Sequence, residues 1–317
     1  MQEQQCPCQC RVRPPSNSLI QTSSVEQHQS EPSASVQDTS SESSRSSRRQ
    51  ILRNVGAALT ALTLSAAAPG VLWAEPNHNV RLADVENTEL RQALEAAVAG
   101  DFARAEDMFS DILKEVPDSA SVWSNRGSVR LSLGKFEAAA ADFSRAIELA
   151  PTASVPYLNR AIAYEALARY PEAINDCDAA IKNDPREYAA WFNKGNVETR
   201  VANYSGALSD YQRAADLAPG IAGYRLRAAT VLFQLKRPDE AAQQISSIVR
   251  KYPNYAEAHA ALAAILWSQG KRARAEGELN AATTQEPRLG TMKFARAALQ
   301  WPPSLLEAME RLITLQQ

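Results

Sequence analysis

Cysteine, histidine and glycine are all scarce in this chain of 317 residues, at four, three and twelve. Three of the cysteines, Cys6, Cys8 and Cys10, crowd the first ten residues, which leaves Cys177 alone beyond them. One cysteine builds no intramolecular disulfide framework, so Cys177 is expected to act as a small core residue. The Cys6–Cys8–Cys10 cluster has no histidine beside it, and past residue 74 the histidines are His78 and His259. That cluster lies in a segment expected to be removed, and no pair among His78, His259 and Cys177 has the spacing of metal ligands, so no metal and no cofactor is expected. The few glycines form neither a phosphate-cradling loop nor a nucleophile elbow. A charge excess of one sign is also missing. Net charge is -2, and from residue 75 onward 28 Lys and Arg face 31 Asp and Glu. That balance argues against nucleic acid or an anionic membrane as the main partner. Long apolar runs are absent too. The weakly apolar stretch 55–68 falls short of the about 20 residues that span a bilayer.

What the chain does have is a strict period. Pro117, Pro151, Pro185, Pro219, Pro253 and Pro287 fall 34 residues apart, and Ala105, Ala139, Ala173, Ala207, Ala241 and Ala275 share the interval. Two residue types locked in phase over six units define a repeat array. With the proline as residue 32, the units run 86–119, 120–153, 154–187, 188–221, 222–255 and 256–289. Residue 8 is Gly or Ala, residue 20 is Ala, and residue 24 is Phe109, Phe143, Cys177, Tyr211, Ile245 or Leu279. Small residues at 8 and 20 let two helices cross closely, and residue 24 fills the space beside the crossing. Gly100, Gly134 and Gly270 mark the end of a first helix. Pro171 and Pro238 open second helices, and the periodic prolines end them. Each unit is thus predicted to be a helix–turn–helix.

This pattern resembles the tetratricopeptide repeat. Trp123, Tyr157 and Trp191 supply its aromatic residue 4, and Phe102, Phe136, Tyr170 and Tyr204 its aromatic residue 17. Units five and six depart from it with Arg225 and His259 at residue 4 and Pro238 and Arg272 at residue 17. The resemblance implies an all-α, right-handed solenoid over 86–289, with 290–317 forming capping helices. Ser304 and Glu307 have the spacing of a capping box. The resemblance also implies a non-enzymatic scaffold that binds another protein or peptide in a concave groove lined by the first helices. Asn125, Asn159 and Asn193 at residue 6 form an amide ladder suited to a peptide backbone. Ser128, Glu165, Asn196, Arg200, Arg227 and Gln234 are the other groove candidates. Residue 5 is Leu90, Ser124, Leu158, Phe192, Leu226 or Ala260, so the lysine of a chaperone-binding carboxylate clamp is missing. Its apolar members are expected to suit a partner helix or apolar peptide. A second reading is a self-associating module, a monomer or weak homodimer with Phe294 and Trp301 in the seam; a cap packed on its own array is the alternative. A third is an enzyme with an unrecognised site.

Residues 1–47 hold 13 serines and no hydrophobic periodicity, the composition of a disordered segment. Ser47-Arg48-Arg49-Gln50-Ile51-Leu52-Arg53 resembles a twin-arginine export motif, and small residues at 66–74 offer cleavage sites. Together, 1–47 as transit segment and 48–74 as export signal resemble the two-part presequence of thylakoid lumen proteins, with 75–85 as linker. Cleavage is expected after Ala74. The expected address is the chloroplast thylakoid lumen, and the expected task is assembly or stability of a photosynthetic complex. A bacterial-type export route, an uncleaved thylakoid anchor, and a disordered tail before a buried helix are the alternatives. Membrane contact is expected only through this segment or a membrane-complex partner.

Overall fold

Six helix pairs follow one another in residues 87–314, the part that this computed structural model describes. The segments 1–47, 48–74 and 75–85 lie outside the described residues, and with them the export and cleavage expectations. The pairs are α1 (Thr88–Val98) with α2 (Phe102–Glu115), α3 (Ala120–Ser132) with α4 (Phe136–Leu149), and α5 (Ser154–Ala166) with α6 (Tyr170–Asn183). Then come α7 (Tyr188–Arg200) with α8 (Tyr204–Leu217), α9 (Ala222–Gln234) with α10 (Pro238–Lys251), and α11 (Ala256–Ser268) with α12 (Arg272–Gln285). A 3₁₀ turn (Pro287–Gly290), α13 (Met292–Ala298) and α14 (Pro303–Thr314) complete the described chain. No strand occurs among the described residues, and no helix there is long and apolar enough to cross a membrane.

One turn closes all six first helices. Residue 15 takes positive φ in every unit: 82° at Gly100, 71° at Gly134, 56° at Ala168, 60° at Ala202, 61° at Lys236 and 73° at Gly270. The next N–H then reaches the carbonyl five residues back, as from Asp101 to Ala96 at 2.9 Å and from Lys271 to Leu266 at 3.0 Å. This closure satisfies carbonyls that a helix end leaves free.

The residue-20 alanines are fully buried in all six units, as are Phe109, Phe143 and Cys177 at residue 24. A Cβ on Gly127 would lie 2.8 Å from the Phe143 ring, and one on Gly195 would lie 2.8 Å from Tyr211. Glycine at residue 8 thus makes room for a large residue 24. Ala161, Ala229 and Ala263 face the smaller Cys177, Ile245 and Leu279; unit one, with Ala93 and Phe109, departs from this trade.

Neighbouring units are locked through the periodic prolines. The Trp123 indole donates to the Pro117 carbonyl at 2.8 Å and Trp191 to Pro185 at 3.1 Å. The Tyr157 hydroxyl donates to Pro151 at 3.3 Å, and His259 Nε2 lies 3.0 Å from the Pro253 carbonyl. Arg225 takes this place in unit five, and its Nε is buried without a partner.

Polar ties join the N-terminal units. Arg126 forks onto Asp142 at 2.9 and 2.8 Å and reaches back to Ser110 at 3.1 Å. Arg160 repeats this on Asp176 at 2.7 and 2.8 Å and on Ser144 at 2.8 Å. From Phe192 onward the packing becomes one continuous apolar core that runs through α9 and α11 into α14.

Candidate functional site

The first helices of successive units touch one another at α3–α5, α5–α7 and α9–α11, while successive second helices stand farther apart. The stack therefore bends toward the first helices, which line its inner face. Residue 5 does not belong to that face. Leu90, Leu158, Phe192, Leu226 and Ala260 are all buried, and Phe192 packs its ring 4.6 Å from Tyr224 and 5.5 Å from Tyr211. The expectation that these residues suit a partner helix is corrected: they fill the space between helices.

The inner face has two dissimilar stretches. Across units two to four it is polar and partly open. The Ser128 hydroxyl donates to the Ser124 carbonyl at 3.0 Å and accepts from Asn159 Nδ2 at 3.4 Å. Asn196 accepts from the Tyr211 hydroxyl at 2.8 Å and points its amide toward Asn193 Oδ1 at 3.5 Å. Asn159, Ser128 and Asn196 are half-buried, whereas Asn125 and Asn193 are buried at 3% and 8% exposure. The ladder is thus most accessible at its middle rung. Glu165 and Arg200 approach to 3.6 Å, with the guanidinium half exposed. Burial holds the Glu165 carboxyl above the usual carboxylate range, against the pull of Arg200. Sequence reasoning missed Thr199 and Ser132. Both lie on the same helix stripe as the named candidates, and residues three and four apart share a face.

Across units five and six the inner face is occupied by the chain itself. Helix α14 lies on α11 and reaches α9. Leu305, Met309 and Leu312 are buried, and so is Trp301, at 5% exposure. The Trp301 indole donates to Glu257 Oε1 at 2.9 Å. The Ser304 N–H donates to Gln234 Oε1 at 2.9 Å. Arg227 is 3% exposed and 3.4 Å from Glu257. Two groove candidates, Arg227 and Gln234, are therefore already engaged beneath or beside the C-terminal segment. The Ser304–Glu307 capping box does not form, because α14 starts at Pro303 and puts Ser304 inside the first turn. Residues offered for a dimer seam are packed on their own array: Trp301 as above, and Phe294 under the Arg288 guanidinium at 4.6 Å. The signal for this cover is in α11. Its run Ala260–Leu266 is apolar and buried throughout, and such a stretch needs neighbours all round.

Ionisable groups gather in one more place. Unit four replaces the arginine of units two and three with Lys194, which pairs with Asp178 at 2.8 Å rather than with Asp210. Asp210 stays buried and has no ion pair among the described residues. Burial pushes its carboxyl up to about 6; Lys194 opposes this, and Glu198 and Asp178 add to it. Burial likewise drives the Cys177 thiol far up, which leaves it a packing residue. Among the described residues no group of three or more His, Cys, Asp and Glu side chains is arranged to hold a metal ion.

Paired helices, the shared turn and the proline lock coincide with two family models, both described as Tetratricopeptide repeat. One matches residues 90–154 and 158–222, the other 202–265. The chain belongs to the tetratricopeptide repeat family. Solved tetratricopeptide repeat structures agree in fold. A repeat protein from Parabacteroides merdae is 17% identical over 71% of this chain and 97% of that one, with a TM-score of 0.54. The APC/C hetero-tetramer Cut9–Hcn1 is 16% identical over 71% of this chain and 42% of that one, with a TM-score of 0.56. YrrB, described as a TPR protein with an unusual peptide-binding site, is 22% identical over 56% of this chain and 92% of that one, at 0.48. Identities this low show the fold alone. No curated protein sequence matches this tetratricopeptide repeat chain.

Proposed function

We propose that the protein is a non-enzymatic interaction scaffold whose open inner stretch, across units two to four, holds an extended segment of another polypeptide. One observation carries this reading. The inner face is half-open and rich in amides and hydroxyls at Ser128, Asn159, Asn196 and Thr199, while its apolar remainder is already covered by α14. Amides and hydroxyls both donate and accept, so they can serve a peptide backbone with little regard for sequence. Asn125 and Asn193 support the strip from beneath, and Glu165 with Arg200 sets its charged end. The test is affinity purification of the native protein beside a variant carrying Asn159→Ala, Asn196→Ala and Arg200→Ala. Partners are expected to be lost with helicity unchanged. Equal recovery by a folded variant would remove this strip from the binding surface.

The address is a second proposal, supported by the twin-arginine motif at 48–49 behind a Ser-rich segment. It places the mature protein in the thylakoid lumen as an assembly or stability factor for a photosynthetic complex. N-terminal sequencing of the native protein is expected to begin at Glu75, and a start within 1–47 would end this reading. Co-migration of the lumenal protein with a photosystem tests the task. The packing of Trp301 and Phe294 within the chain supports a monomer.

A further inference from the structure

Where α14 crosses the ends of α9 and α11, it leaves a cavity of about 380 Å³. Its volume falls within the roughly 300–1,000 Å³ of small-molecule sites. Phe233, Trp267 and Ala308 give it apolar walls, and Lys236 and Arg311 stand on its rim. Among the described residues neither cation has an ion-pair partner, whereas Arg237 nearby pairs with Glu240 at 2.6 Å and Arg272 lies 5.4 Å from the Trp267 ring centroid. Glu307 is the one acid on the wall, so the lining keeps a net positive charge. Ser304 also lines the cavity, and its hydroxyl is buried without a hydrogen-bond partner. A buried hydroxyl left unpaired is costly. Lys236 is exceptional in a second way. It holds the left-handed turn position, at φ 61°, that the other five units give to glycine or alanine.

We propose that this cavity binds a small carboxylate carried on an apolar or aromatic group. Phe233 and Trp267 enclose the apolar part, Lys236 and Arg311 meet the carboxylate, and the Ser304 hydroxyl supplies a hydrogen bond. The site is separate from the open inner strip and stands whether or not that strip binds a peptide.

The experiment is a two-dimensional NMR titration of the chain with 3-phenylpropanoate, with its neutral amide, and with acetyl-Gly-Phe bearing a free C-terminus. The acids are expected to give saturable shifts at the Trp267 indole N–H and at the Ser304 and Arg311 amides. The neutral amide should bind about tenfold more weakly, since a charge-assisted bond is lost. Tighter binding of the peptide acid identifies a polypeptide terminus as the source, and tighter binding of phenylpropanoate a free small molecule. Lys236→Gln with Arg311→Gln, both at exposed positions, should bring the acids down to the level of the amide. Equal binding of acid and amide by the unaltered chain overturns the proposal, as does the absence of saturation at these three groups up to about 10 mM. Retained preference for the acid in the double variant also overturns it.

Discussion

Gly127 and Gly195 sit inside helices, where glycine costs about 1 kcal/mol relative to alanine. Their aromatic partners reverse that preference, because a methyl at either site would press within 2.8 Å of the Phe143 or Tyr211 ring. Gly127→Ala and Gly195→Ala are each expected to lower stability by about 1–3 kcal/mol in urea unfolding; an increase would show that the rings yield freely. Asp210 gives a pH signature. Its ordinary value is 3.8, and the fold raises it to about 6. Below the lower value it is neutral in both states. Between the two the unfolded chain sheds its proton first, so this contribution to stability falls as pH rises, and above about 6 the loss is complete. Asp210→Asn should therefore be more stable than the parent chain at pH 7, with the difference shrinking toward pH 4. Lys194→Arg should narrow the same gap by restoring the fork that Arg126 makes with Asp142. A difference that does not vary with pH would rule out this account.

At the scale of the helix pair, the shared turn is the clearest test. Ala168 and Ala202 carry a side chain at positive φ, where an L-residue is strained by about 1–2 kcal/mol. Ala168→Gly and Ala202→Gly should each stabilise by roughly 0.5–1 kcal/mol, after the added freedom of the unfolded chain is subtracted. Thermal melts check this, and a fall in midpoint would contradict it. Three of the six turns were legible as Gly100, Gly134 and Gly270. The others were not, because alanine and lysine give no local sign of left-handed backbone; the position is imposed by the stacking of the pairs. The helix pairs themselves were readable because the residue-20 alanine is buried in all six units and four of the six periodic prolines accept a hydrogen bond from the next unit. Residue 5 was misread for the opposite reason. Apolar character does not say which side of a helix is buried, and Phe192 turns toward Tyr211 and Tyr224 rather than to the inner face.

For the molecule as a whole, the inner surface is divided between an open polar stretch and a closed apolar one. The first was legible in the residue-6 asparagines. The second was hidden, because the contact from Ser304 to Gln234 joins residues 70 apart that share no periodic position. Stacked arrays exchange energy mainly between neighbours, so the effect of removing α14 should stay local. A chain ending at Gln300 loses Leu305, Met309, Leu312 and the Trp301 anchor, each worth about 1.5–3 kcal/mol of burial. Amide exchange is expected to quicken through 222–286 and to stay unchanged through 88–183. Uniform quickening would mean that the six pairs unfold as one body.

The cover on α11 also imposes an order in time. Ser268 is made well before Thr314, and at about 5–20 residues per second the gap during synthesis is on the order of seconds. Throughout that interval the most apolar of the described helices lacks its lid. The newborn protein is then at its stickiest, and a chaperone that guards it has its natural target there rather than in the earlier, polar-bound pairs.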